Sequence, residues 1–211
     1  STTTATKKWT QHFPNGDETW PSRRELHSAT VVNDLIYVFG GTNGALPNNE
    51  MYTYTLVRAR APFQRASYTS LTHLLASSRV YSCKVWTKLA TEGSAPSPRF
   101  GHTTVLWGKY LVVLGGVSIE KSEKIPCTDV HFFCVGTSST TVAFSCDVRA
   151  RLTIVSAESQ VWHLADFSTC SSSLPRANVG HSGVLSNNHI LVFGGSASPI
   201  LRTLDLSTWR T

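Results

Sequence analysis

The chain contains no apolar run of 18 residues, so no helical membrane span is expected. Its first residues, Ser1-Thr2-Thr3-Thr4-Ala5-Thr6-Lys7-Lys8, lack the charged-then-apolar order of a signal peptide. They also lack an initiator Met, and the chain is expected to begin inside a longer one. The five Cys (Cys83, Cys127, Cys134, Cys146, Cys170) are odd in number and include no Cys-x-x-Cys pair, which argues against a disulfide framework and a zinc site. No Asn-x-Ser/Thr acceptor occurs. These absences point to a reducing, intracellular location, the cytoplasm first, with the nucleus or an organelle left open. Catalytic patterns are missing too. There is no His-x-x-x-His or Glu-x-x-His pair to set two metal ligands on one helix face, and no Gly-x-Ser-x-Gly nucleophile elbow. The chain is therefore read as a non-enzyme, with no cofactor and no metal site.

What is present is repetition. His27-Ser28-Ala29-Thr30-Val31-Val32 and Leu35-Ile36-Tyr37-Val38-Phe39-Gly40-Gly41 return as His102 to Gly116 and again as His181 to Gly195. From His to the first Gly the interval is 13 residues in all three copies. Repetition at a fixed spacing decides architecture before local propensity does. Each copy reads as two strands joined tightly, at Asn33-Asp34, at Trp107-Gly108-Lys109 and at Ser186-Asn187-Asn188. The Gly pair closing the second strand allows positive φ and a close backbone approach.

More of the unit lies upstream. Trp9, Trp86 and Trp162 each precede a polar loop, then an Arg (Arg24, Arg99, Arg176), then the His. The second copy is clearest, running Trp86-Thr87-Lys88-Leu89 to Pro98-Arg99-Phe100-Gly101-His102. This order of Trp strand, Pro-Arg loop, His, hairpin and Gly-Gly resembles the kelch repeat. The resemblance covers nearly the whole chain and implies an all-β fold, a kelch-type propeller of four-stranded antiparallel blades of about 50 residues each. It implies a structural role in every blade for His27, His102, His181, Gly40, Gly41, Gly115, Gly116, Gly194, Gly195, Trp86 and Trp162. Some kelch-like propellers are copper oxidases, iron-dependent specifier proteins or sialate epimerases, and nothing in this chain matches their ligands.

Repeats are expected over about 9–85, 86–161 and 162–211, within one domain of 1–211. The first two exceed the ordinary period, and the excess follows the Gly pairs. A third strand is expected after each pair, over Asn49–Leu56, Asp129–Val135 and Ile200–Leu206. That leaves insertions near 57–79 and 136–156, between third and fourth strands and on one face of the disc. In the first, Tyr68, Leu71, Leu74 and Leu75 lie at helical spacing behind Ser67 as N-cap. In the second, Val142–Phe144 and Leu152–Val155 read as strand extensions. Rings need about four to eight blades. Three are expected to be half of a six-bladed ring, completed elsewhere in a longer chain or by another chain. Lys8-Trp9-Thr10 reads as the fourth strand of a preceding blade.

Charge is uneven. The formal balance is +6, from 19 Lys and Arg against 13 Asp and Glu. Residues 57–90 hold Arg58, Arg60, Arg65, Arg79, Lys84 and Lys88 and no acidic residue, so the whole excess sits there. Such a cluster suits an acidic protein surface, RNA or another polyanion, although no RNA-binding signature accompanies it. The expected function is a non-catalytic interaction scaffold that docks other proteins through its two insertions, within a larger protein or RNA–protein assembly. Arg58, Arg60, Arg65, Arg79, Lys84, Lys88, Arg149 and Arg151 are the candidate contacts. The alternatives are a substrate adaptor of a ubiquitin ligase and an enzyme whose site lies in further blades.

Overall fold

Short β-branched and aromatic runs separated by Asn, Gly and Pro build a chain of strands. The structure, a computed structural model, describes residues 9, 11, 20–55, 58–60, 80–82, 86–135, 160–165, 178–196 and 201–207. In order the strands are β1 (Ser28–Val32), β2 (Leu35–Phe39), β3 (Met51–Thr55), β4 (Arg58–Arg60), β5 (Val80–Ser82) and β6 (Trp86–Lys88). Then come β7 (Glu92–Gly93), β8 (Thr103–Trp107), β9 (Tyr110–Leu114), β10 (Val117–Glu120), β11 (Glu123–Pro126), β12 (Val130–Cys134) and β13 (Val161–Leu164). The last are β14 (Ser182–Ser186), β15 (His189–Phe193) and β16 (Arg202–Asp205). No helix occurs among the described residues, so none there is long and apolar enough to cross a membrane.

The strands form three antiparallel blades. The first is β1-β2-β3-β6 and the second β8-β9-β12-β13, with β7 added parallel to β13 at its outer edge. The third shows β14-β15-β16. The blades stand side by side through their first strands, β1 beside β8 and β8 beside β14, as in a propeller around its axis. The described blades do not close into a ring. Each first hairpin turns through two residues, and the leading turn residue is left-handed: Asn33 at φ 53°, Gly108 at 56° and Asn187 at 53°. Asn and Gly tolerate that conformation better than other residues.

The second blade is buried on both faces, which explains its unbroken apolar strands. Leu111, Val113, Phe133 and Trp162 face the first blade, joining Tyr37, Phe39 and Met51. Tyr110, Val112, Leu114, Val130 and Phe132 face the third, joining Ile190, Val192 and Leu206. Trp162 packs between blades, its ring centre 5.1 Å from that of Phe39 and 4.8 Å from that of Phe133. Trp86, its counterpart in the first blade, lies against Tyr54 and Trp20.

Three details differ from the sequence reading. Trp9 is fully exposed and outside any strand. A fourth strand needs a third strand to pair with, and among the described residues none lies beside Trp9. Second, Val117–Pro126 forms a hairpin that the repeat does not require. It turns through Lys121 and Ser122, both with positive φ (49° and 70°). Third, the first insertion leaves and re-enters as a two-stranded ribbon, β4 paired with β5. The helix over 67–75, the 142–144 and 152–155 extensions, Arg176 and Trp209 lie outside the described residues.

Candidate functional site

The loop before each first strand builds one junction repeatedly. Arg99 shows its parts. Its backbone carbonyl accepts a hydrogen bond from Gly41 N of the preceding blade, at 2.9 Å. Its side chain turns to its own blade. There Nη1 donates to the Gly115 carbonyl (3.3 Å), while Nη2 donates to Asp129 Oδ2 (2.8 Å) and Ser97 Oγ (3.2 Å). Nη1 also lies 2.8 Å from Asp129 Oδ1, so the ion pair is a two-pronged one around a fully buried guanidinium. His131 Nε2 completes the group at 2.8 Å from Asp129 Oδ2, and its Nδ1 meets the Ser94 carbonyl at 2.9 Å. Burial alone would raise the Asp129 pKa. Hydrogen bonds from His131 and Arg99 outweigh it and hold the carboxyl well below the usual range.

Arg24 repeats this in the first blade. It donates to the Gly40 carbonyl (3.1 Å), Asn48 Oδ1 (3.0 Å) and Glu50 Oε2 (2.9 Å). Glu50 and Asp129 each stand immediately before their blade's third strand. Sequence reasoning passed over both carboxylates, although their shared place before that strand was a usable signal. The third copy is built differently. Asn178 lies three residues before His181, as Arg24 and Arg99 lie three before their His. Its amide donates to the Gly194 carbonyl, and its backbone carbonyl accepts from Gly116 N at 2.8 Å. Asn178, not Arg176, therefore fills the Arg position. A constant spacing of 16 residues to the first Gly identifies it.

The histidines are spread one to a junction rather than gathered into a site. His102 Nε2 is hydrogen-bonded to Ser28 Oγ of the preceding blade at 2.9 Å, and Ser28 Oγ lies 2.6 Å from Thr104 Oγ1. Burial, then the Arg99 charge, pushes the His102 pKa down to about 3, so the ring is neutral at physiological pH. Burial lowers that of His181 as well. His27, at the exposed start of the first blade, is lowered by partial burial and the Arg24 charge. Among the described residues no three His, Cys, Asp or Glu come together as metal ligands.

The basic candidates fall elsewhere. Arg58 and Arg60 belong to β4, opposite Ser82 and Val80 of β5. Lys88 ends β6 and its Nζ pairs with Glu50 Oε1 at 2.6 Å, which raises the Lys88 pKa and lowers that of Glu50. Arg65, Arg79, Lys84, Arg149 and Arg151 lie outside the described residues. Topology sets the face of both insertions. β3 and β12 run antiparallel to β2 and β9, so they end at the level of the Asn33-Asp34 and Gly108-Lys109 turns. The β10–β11 hairpin and the Arg-His loops lie at the opposite face.

Comparison with known proteins agrees with this geometry. The family described as "KLHDC2/KLHL20/DRC7 Kelch-repeats domain" matches residues 1–146. The Rho GTPase-activating protein gacHH of Dictyostelium discoideum is 27% identical over 191 residues, covering 89% of this chain and 9% of that protein. Host cell factor of Drosophila melanogaster is 23% identical over 239 residues, covering 90% of this chain and 15% of its own. The Rab9 effector protein with kelch motifs of Bos taurus is 30% identical over 115 residues, 54% of this chain and 24% of that protein. The chain thus spans less than a sixth of the first two relatives. Kelch domains generally act as protein-interaction modules, and with its repeated junctions and this match the chain belongs to the kelch-repeat family.

Proposed function

We propose that this chain is a non-catalytic docking platform whose two insertions grip a partner protein on one face of the propeller. The observation that carries this reading is the shared exit of the insertions after β3 and β12. The blades below supply a rigid base, and loops on such a base are where binding residues concentrate. Arg58, Arg60, Arg65, Arg79, Lys84 and Lys88 would steer an acidic surface toward that face, with Arg149 and Arg151 contributing from the second insertion. The Lys88–Glu50 pair is exposed and worth about 1 kcal/mol or less, so Lys88 can exchange it for a partner's carboxylate. Buried Cys127 and Cys134 are free thiols, which suits a reducing compartment.

The test compares wild type with a variant carrying R58E, R60E, R65E and R79E. Cross-linking to a cell extract, read by mass spectrometry, should show one partner set lost in the variant and weakened by salt. A separate arm titrates a fluorescent single-stranded RNA. Unchanged protein partners in the variant would remove the basic insertion from the binding surface. A loss confined to RNA would reassign it to polyanion binding.

A further inference from the structure

One residue of the first insertion carries a signature that neither the repeat nor the docking surface uses. Ser82 is the only Ser or Thr in the chain with an Arg three residues before it, Arg79. An arginine at that place is what a kinase with an acidic substrate groove reads. Its guanidinium pairs with the groove's carboxylates while the hydroxyl lies at the reacting phosphate. Residues 57–90 hold no Asp or Glu, so 79–82 meets such a groove without like-charge repulsion.

The fold supplies a second, independent observation. β4 and β5 pair antiparallel, with Arg58 opposite Ser82 and Arg60 opposite Val80. Residues opposite one another in an antiparallel pair share a face, and so do residues two apart along a strand. Arg58, Arg60 and Ser82 are therefore placed on one face of the ribbon, with Arg58 directly across from Ser82. A phosphate on Ser82 would add about −2 at that point and three acceptor oxygens. Arg meets phosphate through two parallel N–H donors, which makes the cross-strand pair a charge-assisted one. Against the six Lys and Arg of residues 57–90, that charge offsets about a third. The ribbon also suits modification. Each strand has three residues, and among the described residues the two pair only with each other. A two-stranded ribbon alone is marginally stable, so it can open to present 79–82 as extended chain and close again on the product.

We propose that Ser82 is a phosphorylation site for a basophilic kinase, and that its phosphate takes up Arg58 and Arg60 and withdraws them from partner binding. The O–P bond forms at Ser82 Oγ as the bond from the γ-phosphorus of ATP to ADP breaks, and the hydroxyl proton passes to the kinase's general base. In the unmodified chain the two arginines serve the acidic partner. In the phosphorylated chain they are held across the ribbon and the partner is released. The release rests on the docking reading above, whereas the site and the pairing of its phosphate do not.

Calmodulin-dependent protein kinase and ATP, followed by phosphopeptide mass spectrometry of the 211-residue chain, test the site. Expected is phosphate on Ser82, at a rate that falls at least about tenfold in Arg79→Ala, which loses one charge-assisted contact to the kinase. Phosphate on other residues only, or a rate indifferent to Arg79, overturns the proposal. The pairing is read by phosphorus NMR of the chain with phosphoserine installed at position 82. Its second ionisation should fall below the ordinary value of about 6 and return to it in Arg58→Gln with Arg60→Gln. A titration unmoved by those substitutions overturns the proposal as well. Cross-linking then separates the switch from the docking reading. Partners lost by the four charge reversals should also be lost on phosphorylation. Partners lost by reversal but kept by the phosphorylated chain overturn the switch alone. Reversal that loses no partner defeats the docking reading, and the phosphorus titration still decides the pairing.

Discussion

The His102 ring rests on Gly40 of the preceding blade so closely that a side chain at Gly40 would meet its Cε1 at 2.8 Å. His181 stands on Gly115 in the same way. The His and the Gly pair are thus two sides of one contact, 62 and 66 residues apart in the chain. Gly40→Ala and Gly115→Ala combine a left-handed backbone with a clash against backbone and ring. Each is expected to cost about 3 kcal/mol or more. Gly194→Ala meets nothing among the described residues and should lose only the conformational part, about 1–2 kcal/mol. Urea denaturation under monomeric conditions gives the comparison, and equal losses at all three positions would break the link between His and Gly.

Acid should loosen the molecule in two stages. The His102 pKa falls from 6.5 to about 3 on folding, and that of His181 moves the same way. The unfolded chain therefore binds more protons below about pH 6.5, and stability declines as pH drops from there toward 3. Asp129 acts at lower pH. Its folded pKa is depressed, so its contribution is complete above about 3.8 and is lost only in stronger acid. The urea midpoint measured from pH 7.5 to 4.5 should fall steadily. His102→Gln should lower it at pH 7.5 yet flatten the slope without abolishing it, because His181 and His27 are shifted in the same direction. An unchanged slope in that variant would place the acid sensitivity elsewhere.

Legibility in the sequence followed the kind of constraint. Contacts that recur at a fixed interval, His102 on Gly40 and the Asn33, Gly108 and Asn187 turns, leave the same residue types in each copy and could be read directly. Solutions that vary between copies were harder. The carbonyl clamp is Arg with Glu50 in one blade, Arg with Asp129 in the next and Asn178 in the third, so residue type misled where spacing did not. Among the described residues the β10–β11 hairpin belongs to one copy only, and it turns through Lys121-Ser122, a pair with no turn signature. In the sequence, charge composition alone singles out the basic candidates.

The three clamps should differ in strength because their chemistry differs. Arg99 is fully buried and holds a carbonyl and Asp129 together. Arg99→Met leaves the Asp129 carboxylate with His131 alone and should cost about 3 kcal/mol. Arg24→Met releases a Glu50 that still has Lys88, and about 1–2 kcal/mol is expected. Asn178→Ala removes neutral side-chain hydrogen bonds only, among them those to the Gly194 carbonyl and from Val179 N, for about 1 kcal/mol. Asp129→Leu added to Arg99→Met should cost less than the sum of the single changes, because the stranded charge is gone. Equal effects for Arg24 and Asn178, or strict additivity in the Arg99–Asp129 cycle, would mean that packing rather than charge pairing sets the cost.

The extra hairpin offers a gain in stability. Lys121 and Ser122 occupy left-handed backbone, at φ 49° and 70°, in a two-residue turn between Glu120 and Glu123. For residues other than Gly, Asn or Asp this conformation costs about 1 kcal/mol each, and Asn-Gly is the pair such a turn favours. Lys121→Asn with Ser122→Gly should therefore stabilise the hairpin by about 1 kcal/mol. The turn is exposed and the hairpin opposes the insertion face, so partner binding through the insertions should be unaffected. The readout has to be local as well as global, because a surface hairpin can open without the blades unfolding. Hydrogen exchange at Ser118 and Ile125, whose amides face each other across the hairpin, should slow about tenfold, which corresponds to about 1.4 kcal/mol. Faster exchange there would show that the left-handed pair is held by its surroundings rather than strained against them.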